Sequence, residues 1–173
     1  MDLTVKQTLN TSIYVDLGRE NDFSDREILE SIPWVGWLET WLLSLKNNLP
    51  PGNGYEVSLR LTSDREIQIL NSQYRALDRP TDVLAFAATE ADFPLPIELN
   101  EPLYLGDIII SYDTALSQAQ TQNHSLTVEL AWLASHGLLH LLGWDHPDET
   151  SLNIMLEKQR DLLKLVDIVG NYS

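Results

Sequence analysis

Three of the four histidines in the chain fall within one short run, His136-Gly-Leu-Leu-His-Leu-Leu-Gly-Trp-Asp-His146. His136 and His140 are four apart, so on a helix both imidazoles lie on one face, one turn apart, where both can reach a single ion. Gly143 then lets the backbone leave the helix, because glycine takes the left-handed conformation cheaply. The chain can fold back and deliver His146 as a third ligand. Three neutral nitrogens on one divalent ion leave the fourth tetrahedral position for water, the pattern of a catalytic rather than a structural site. An ion so held acidifies a bound water and polarises a carbonyl or phosphoryl oxygen. Zinc is the first expectation for three imidazoles, and nickel or copper fit the same ligands. The remaining histidine, His124, precedes the helix in a polar turn and reads as a surface residue.

The order His, His, Gly, His at these spacings matches the extended zinc motif of metzincin proteases. One position departs from it. Those enzymes place Glu directly after the first His as general base, and this chain has Gly137. A metallopeptidase is therefore disfavoured. Gly137 costs about 1 kcal/mol of helix stability relative to alanine, and such a glycine marks close approach either by a packed sheet or by substrate.

These ligands need a helix, and the pattern around them supplies one. Ser125 can cap a helix running to Leu142, with Gly143 at its C-terminal end. Upstream, residues 12–17 read as a short strand. Pro33 precedes a helical pattern of Trp34, Trp37, Leu38, Trp41, Leu42 and Leu45. That spacing argues for a buried face rather than a base-stacking surface. After the turn at Pro50-Pro51-Gly52-Asn53-Gly54, residues 55–62 alternate as a half-buried strand. Ser63 or Asp64 can cap a helix reaching about Tyr74. Residues 83–86 and 105–111 read as strands on either side of an acidic, proline-containing loop, roughly 88–102. Helices follow at about 113–121 and from about Glu149 to Val169. Strands and helices are interspersed, so one sheet with helices packed against it is expected.

Composition narrows the function. A length of 173 residues suits a single domain, 1–173. With 43% hydrophobic and 21% charged residues, the chain is neither disordered nor a coiled coil. The absence of cysteine removes disulfides, thiolate zinc fingers, iron–sulfur clusters and cysteine nucleophiles together. A formal charge of −15 opposes general binding to DNA or other nucleic acid, though not a local basic groove. Arg60, Arg65, Arg75 and Arg79 cluster within twenty positions and could form one. The start of the chain lacks a basic region followed by an apolar core, and the apolar stretch from Leu126 to Trp144 is too polar to cross a bilayer. A cytoplasmic protein without membrane contact is expected.

The run from His136 to His146 closely resembles the signature of the YbeY family of bacterial rRNA-maturation endoribonucleases. Two further segments resemble that family, Leu70-Asn-Ser-Gln-Tyr-Arg-Ala-Leu-Asp-Arg-Pro-Thr-Asp-Val-Leu-Ala-Phe86 and Leu105-Gly-Asp-Ile-Ile-Ile-Ser111. Trp144 stands where tyrosine is usual, Ala85 where serine is usual, and Ala87 where proline is usual; none removes a metal ligand. The resemblance implies an α+β fold, with a small mixed sheet of about four strands, about five helices and a zincin-like metal helix. It implies a single divalent metal on His136, His140 and His146, and single-strand-specific RNA cleavage in 16S rRNA 3′-end maturation and ribosome quality control. The partners implied are rRNA, the small ribosomal subunit and ribosomal proteins. The family's arginine falls on Arg75. A guanidinium and an ion aimed at the charge that builds on a phosphodiester supply electrostatic stabilisation. The nucleophile is either water or the RNA's own 2′-hydroxyl, and a 2′,3′-cyclic phosphate product would exclude simple water attack as the first step. Non-catalytic ribosome assembly, with a structural metal, is the remaining alternative.

Several neighbouring residues have roles that spacing alone leaves open. Asp145 could orient a ligand imidazole, accept a proton or cap the last helix. Met155 could sit beneath the metal, and core packing is the simpler reading. Asp82 and Asp107 read as structural hydrogen-bonding groups, and Arg65 and Arg79 as solvated charges.

Overall fold

The computed structural model describes residues 9–90 and 101–170. Four strands, β1 (Thr11–Asp16), β2 (Tyr55–Thr62), β3 (Val83–Ala87) and β4 (Leu103–Ser111), form one sheet in the order β1-β2-β4-β3. β1 pairs with β2 and β2 with β4 in parallel, while β3 runs antiparallel to β4. The sheet is therefore mixed, and β3 forms one edge. Alternation decides the faces. Val57, Leu59, Leu61, Ile108 and Ile110 are buried in the main core, whereas Leu84 and Ile109 join a smaller cluster with Ile67 on the opposite face.

Among the described residues, six α-helices accompany this sheet, α1 (Arg26–Ser31), α2 (Trp34–Ser44), α3 (Asp64–Arg75), α4 (Tyr112–Gln122), α5 (Leu126–Leu141) and α6 (Glu149–Leu165). This agrees with the expected α+β fold of about four strands and about five helices; the additional one is α1, six residues long and too short to show a 3.6-residue period. The last helix ends at Leu165 rather than Val169, because the chain turns out through Asp167, whose φ is 59°. Most of the acidic loop expected at 88–102 lies outside the described residues; Ala88–Glu90 form a short 3-10 turn.

α2, α5 and α6 pack over the main core face. Trp37 and Trp41 stack with ring centroids 5.9 Å apart, and the Trp41 indole donates to the Leu162 carbonyl of α6 at 2.7 Å. The tryptophan series is thus core, as its spacing required. α3 covers the other face through Ile67. α5 is apolar on nearly every side and packs on β3, β4, α4 and α6. A helix buried that thoroughly is a rigid platform, and it carries His136 and His140. The candidate zincin-like helix is therefore held from four directions.

Candidate active site

α5 begins where the Ser125 hydroxyl accepts from the Val128 amide at 3.2 Å. It ends at Gly143, whose φ of 93° belongs to the left-handed region. A Cβ built there meets nothing within 4 Å, so backbone conformation, and not crowding, is what glycine supplies. The turn brings His146 back toward the helix, and the Asp145 side chain accepts from the His146 backbone amide at 2.8 Å, which fixes the exit.

The three imidazoles converge. Their ring centroids are 4.5, 5.7 and 5.5 Å apart, and one nitrogen from each lies within 4.8 Å of the others. His136 and His140 are part-buried and His146 is exposed, so the trio opens to solvent on one side.

A buried contact sets which nitrogen His136 offers. His136 Nδ1 lies 3.0 Å from Gln159 Oε1. Gln159 is fully buried on α6, and its own amide nitrogen donates to the Trp132 carbonyl at 3.3 Å. That second bond fixes the amide with its oxygen toward His136, so His136 carries its proton on Nδ1 and offers the Nε2 lone pair. Burial holds the His136 and His140 imidazoles below the ordinary histidine range, which favours the neutral, ligating form. The two Nε2 atoms then face each other 2.9 Å apart. Two lone pairs so close repel unless a cation or a proton stands between them. The donor set thus fits a divalent ion held by neutral imidazoles.

His136 and His140 open on a cavity of about 540 Å³ that Arg75, Asp82, Glu90, Trp144 and Asp145 also line. Arg75 is the last residue of α3, on the far face of the sheet. It reaches around the edge strand β3, donates to the Ala85 carbonyl at 2.9 Å, pairs with Glu90 at 3.2 Å and lies over the Phe86 ring at 5.0 Å. The Ala85 contact is made by backbone, so alanine in place of the usual serine leaves it intact. The guanidinium and the imidazoles of His136 and His140 therefore share one groove.

Other sequence expectations divide. A Cβ on Gly137 would lie 2.7 Å from Ile108 Cγ2 and 3.4 Å from Val83 Cγ2, so this glycine serves helix-to-sheet packing. His124 is not a surface residue: its side chain is 5% exposed and pairs with the equally buried Glu129 at 2.6 Å. Asp145 does not cap the last helix. Asp148 does, accepting from the Ser151 amide at 2.7 Å in a reciprocal capping box. Met155 is fully buried in the core. Asp82 accepts from the Val83 amide at 2.8 Å and from Gln118, the structural role expected of it, and Asp107 stands on β4 opposite Phe86. Arg65 and Arg79 are exposed, and Arg60 pairs with Glu66. Gln159 had no signal in the sequence, since a lone glutamine in an amphipathic helix reads as a surface residue.

The family model for Endoribonuclease YbeY matches residues 20–167. The chain belongs to the YbeY family. Curated YbeY endoribonucleases include one from Trichormus variabilis, 58% identical over 144 residues and covering 83% of this chain and 82% of that one. Another, from Synechocystis sp., is 52% identical over 164 residues, covering 93% and 92%. The solution structure of TM1509 from Thermotoga maritima has a TM-score of 0.55 and 28% identity, covering 90% of this chain and 89% of that one. The YbeY assignment agrees with the α+β architecture, shared with that solved structure.

Proposed function

We propose that this chain is a metal-dependent endoribonuclease that cleaves single-stranded RNA, acting in 16S rRNA 3′-end maturation and ribosome quality control in the cytoplasm. Family membership supports the activity, and one observation carries its chemistry: two of three convergent imidazoles, those of His136 and His140, line an open groove together with the Arg75 guanidinium. His136, His140 and His146 are the ligands of one divalent ion, zinc before nickel. When bound, that ion supplies Lewis-acid polarisation of a phosphoryl oxygen. Gln159 orients His136. Arg75 neutralises charge on the non-bridging oxygens, and its three contacts hold the guanidinium at the groove in advance of substrate. A phosphate entering the groove takes the place of the Glu90 carboxylate on Arg75, trading one charge-assisted pair for another.

The whole chain, 1–173, serves as one hydrolase domain in this reading. Its partners are rRNA in the small ribosomal subunit and ribosomal proteins, with neither DNA nor membrane among them; no helix among the described residues is long and apolar enough to cross a bilayer. A charge of −15 favours delivery to RNA by protein contacts over electrostatic capture. Peptide hydrolysis is disfavoured because Gly137 stands where the peptidase base belongs. The test is cleavage of structured rRNA fragments and of casein, each with and without chelator. Chelator-sensitive RNA cleavage with intact casein is expected; chelator-sensitive casein cleavage with intact RNA would overturn the reading.

A further inference from the structure

A second cavity, of about 730 Å³, lies on the other side of the β3 edge from the histidines. It is formed between the last turn of α3 and the sheet, and Arg75 and Glu90 line both cavities. The two spaces are thus joined across the free edge of β3 by one arginine.

The walls of this second cavity differ from those of the metal groove. Tyr74 is 63% exposed, although it is among the largest side chains on α3. Its ring meets Phe86 edge-to-face, with centroids 5.3 Å apart and planes at 66°. That contact fixes the Tyr74 ring and leaves a face of it open, while Arg75 covers Phe86. On the sheet, Phe86 and Asp107 stand opposite each other in the β3–β4 ladder. Tyr104 and Asp107 line the cavity together from β4, so the Asp107 carboxylate is an acceptor at its floor. Glu90 is a second acceptor at the rim.

An aromatic face with carboxylates repels phosphate and suits a flat, neutral ring that carries N–H donors. A nucleobase is such a ring, and the cavity falls within the size range of small-ligand sites. We infer that this cavity is a nucleobase subsite, in which one base of single-stranded RNA stacks on Tyr74 while its phosphate lies against Arg75. The strand then crosses the edge of β3, and the scissile phosphodiester reaches the histidine groove. A base must be unstacked from its neighbours to enter, so duplex RNA is excluded. This placement gives the protein a physical basis for preferring single strands, and it separates the group that grips the base from the groups that act on the phosphate.

The inference rests on the endoribonuclease reading, and the test separates the two. Metal-loaded full-length protein is assayed on a short single-stranded oligoribonucleotide and on copies with one nucleotide in turn made abasic. Tyr74→Ala is expected to raise KM about tenfold with kcat and metal content nearly unchanged, and Tyr74→Phe to behave as the wild type, because stacking needs the ring and not the hydroxyl. One abasic position is expected to mimic Tyr74→Ala, and to add nothing further when combined with it. An unchanged KM in Tyr74→Ala, or abasic losses that add fully to it at every position, would overturn the subsite and leave RNA cleavage standing. A wild-type protein that does not cleave the RNA at all would overturn the endoribonuclease reading and the subsite with it.

Discussion

Gln159, fully buried on α6, accepts a hydrogen bond from His136 Nδ1 at 3.0 Å while donating to the Trp132 carbonyl of α5 at 3.3 Å. Both ends of the amide are committed, so it cannot flip without breaking both bonds. The consequence is a fixed His136 tautomer with Nε2 directed at the other ligands. Replacing it with leucine keeps the volume and removes the acceptor. Gln159→Leu is expected to lower metal affinity about 10- to 100-fold, the usual cost of losing such a partner. Competition with a chromophoric chelator reads this directly, and unchanged affinity would mean that the contact only fills space.

Arg75 is exposed and ends its helix, so its loss removes no core contact. Arg75→Ala should retain the fold and a full complement of metal while RNA cleavage falls about 100- to 1000-fold. Cleavage at the wild-type rate would remove Arg75 from the mechanism.

Gly137→Ala separates packing from catalysis. The new Cβ would press on Ile108 Cγ2, a branch on a buried strand that has no room to move. Overpacking of this kind costs about 1–3 kcal/mol, against about 1 kcal/mol regained in helix propensity. A lower melting temperature with the metal site intact is expected, read by calorimetry on the metal-free protein. A raised melting temperature would contradict the packing assignment.

The N-terminus of α6 carries an acid-sensitive element. The amide and hydroxyl of Ser151 hold the Asp148 carboxyl below its usual range. The folded pKa lies under the unfolded one, so the stabilisation is present above the ordinary carboxylate range and is lost as pH falls through the lowered value. Asp148→Ala should therefore melt lower than the wild type near neutrality and converge with it in acid. Parallel melting curves across that range would show that the cap contributes nothing.

The convergence of His136, His140 and His146 was legible in the sequence because their geometry is local. A four-residue spacing on a helix and a glycine at its end fix three side chains within eleven positions, and no distant element is needed to state the relationship. β2 was legible as a strand for a similar reason, since it alternates between two faces over most of its length, whereas the mixed order of the sheet was marked by family resemblance alone. What escaped depends on partners far along the chain. Gln159 becomes a partner of His136 only when α6 docks on α5, twenty-three residues away. His124 lies in a polar turn by sequence, yet folding places it against buried Glu129, and pairing offsets the cost of burial. Asp145 and Asp148 both had the chemistry of a helix cap; Ser151, three positions after Asp148, completes the reciprocal box. Arg75 was marked by family resemblance alone, because its reach around β3 depends on the packing of α3 over the sheet.

The account stands on one ion held by three imidazoles. The most direct test is elemental analysis of protein purified without an affinity tag, alongside His136→Ala and His140→Ala. One divalent ion per wild-type chain, and neither ion nor RNA cleavage in either variant, is the expected result. Stoichiometric metal retained by either variant, or a wild-type chain that cleaves RNA with no metal bound, would contradict it.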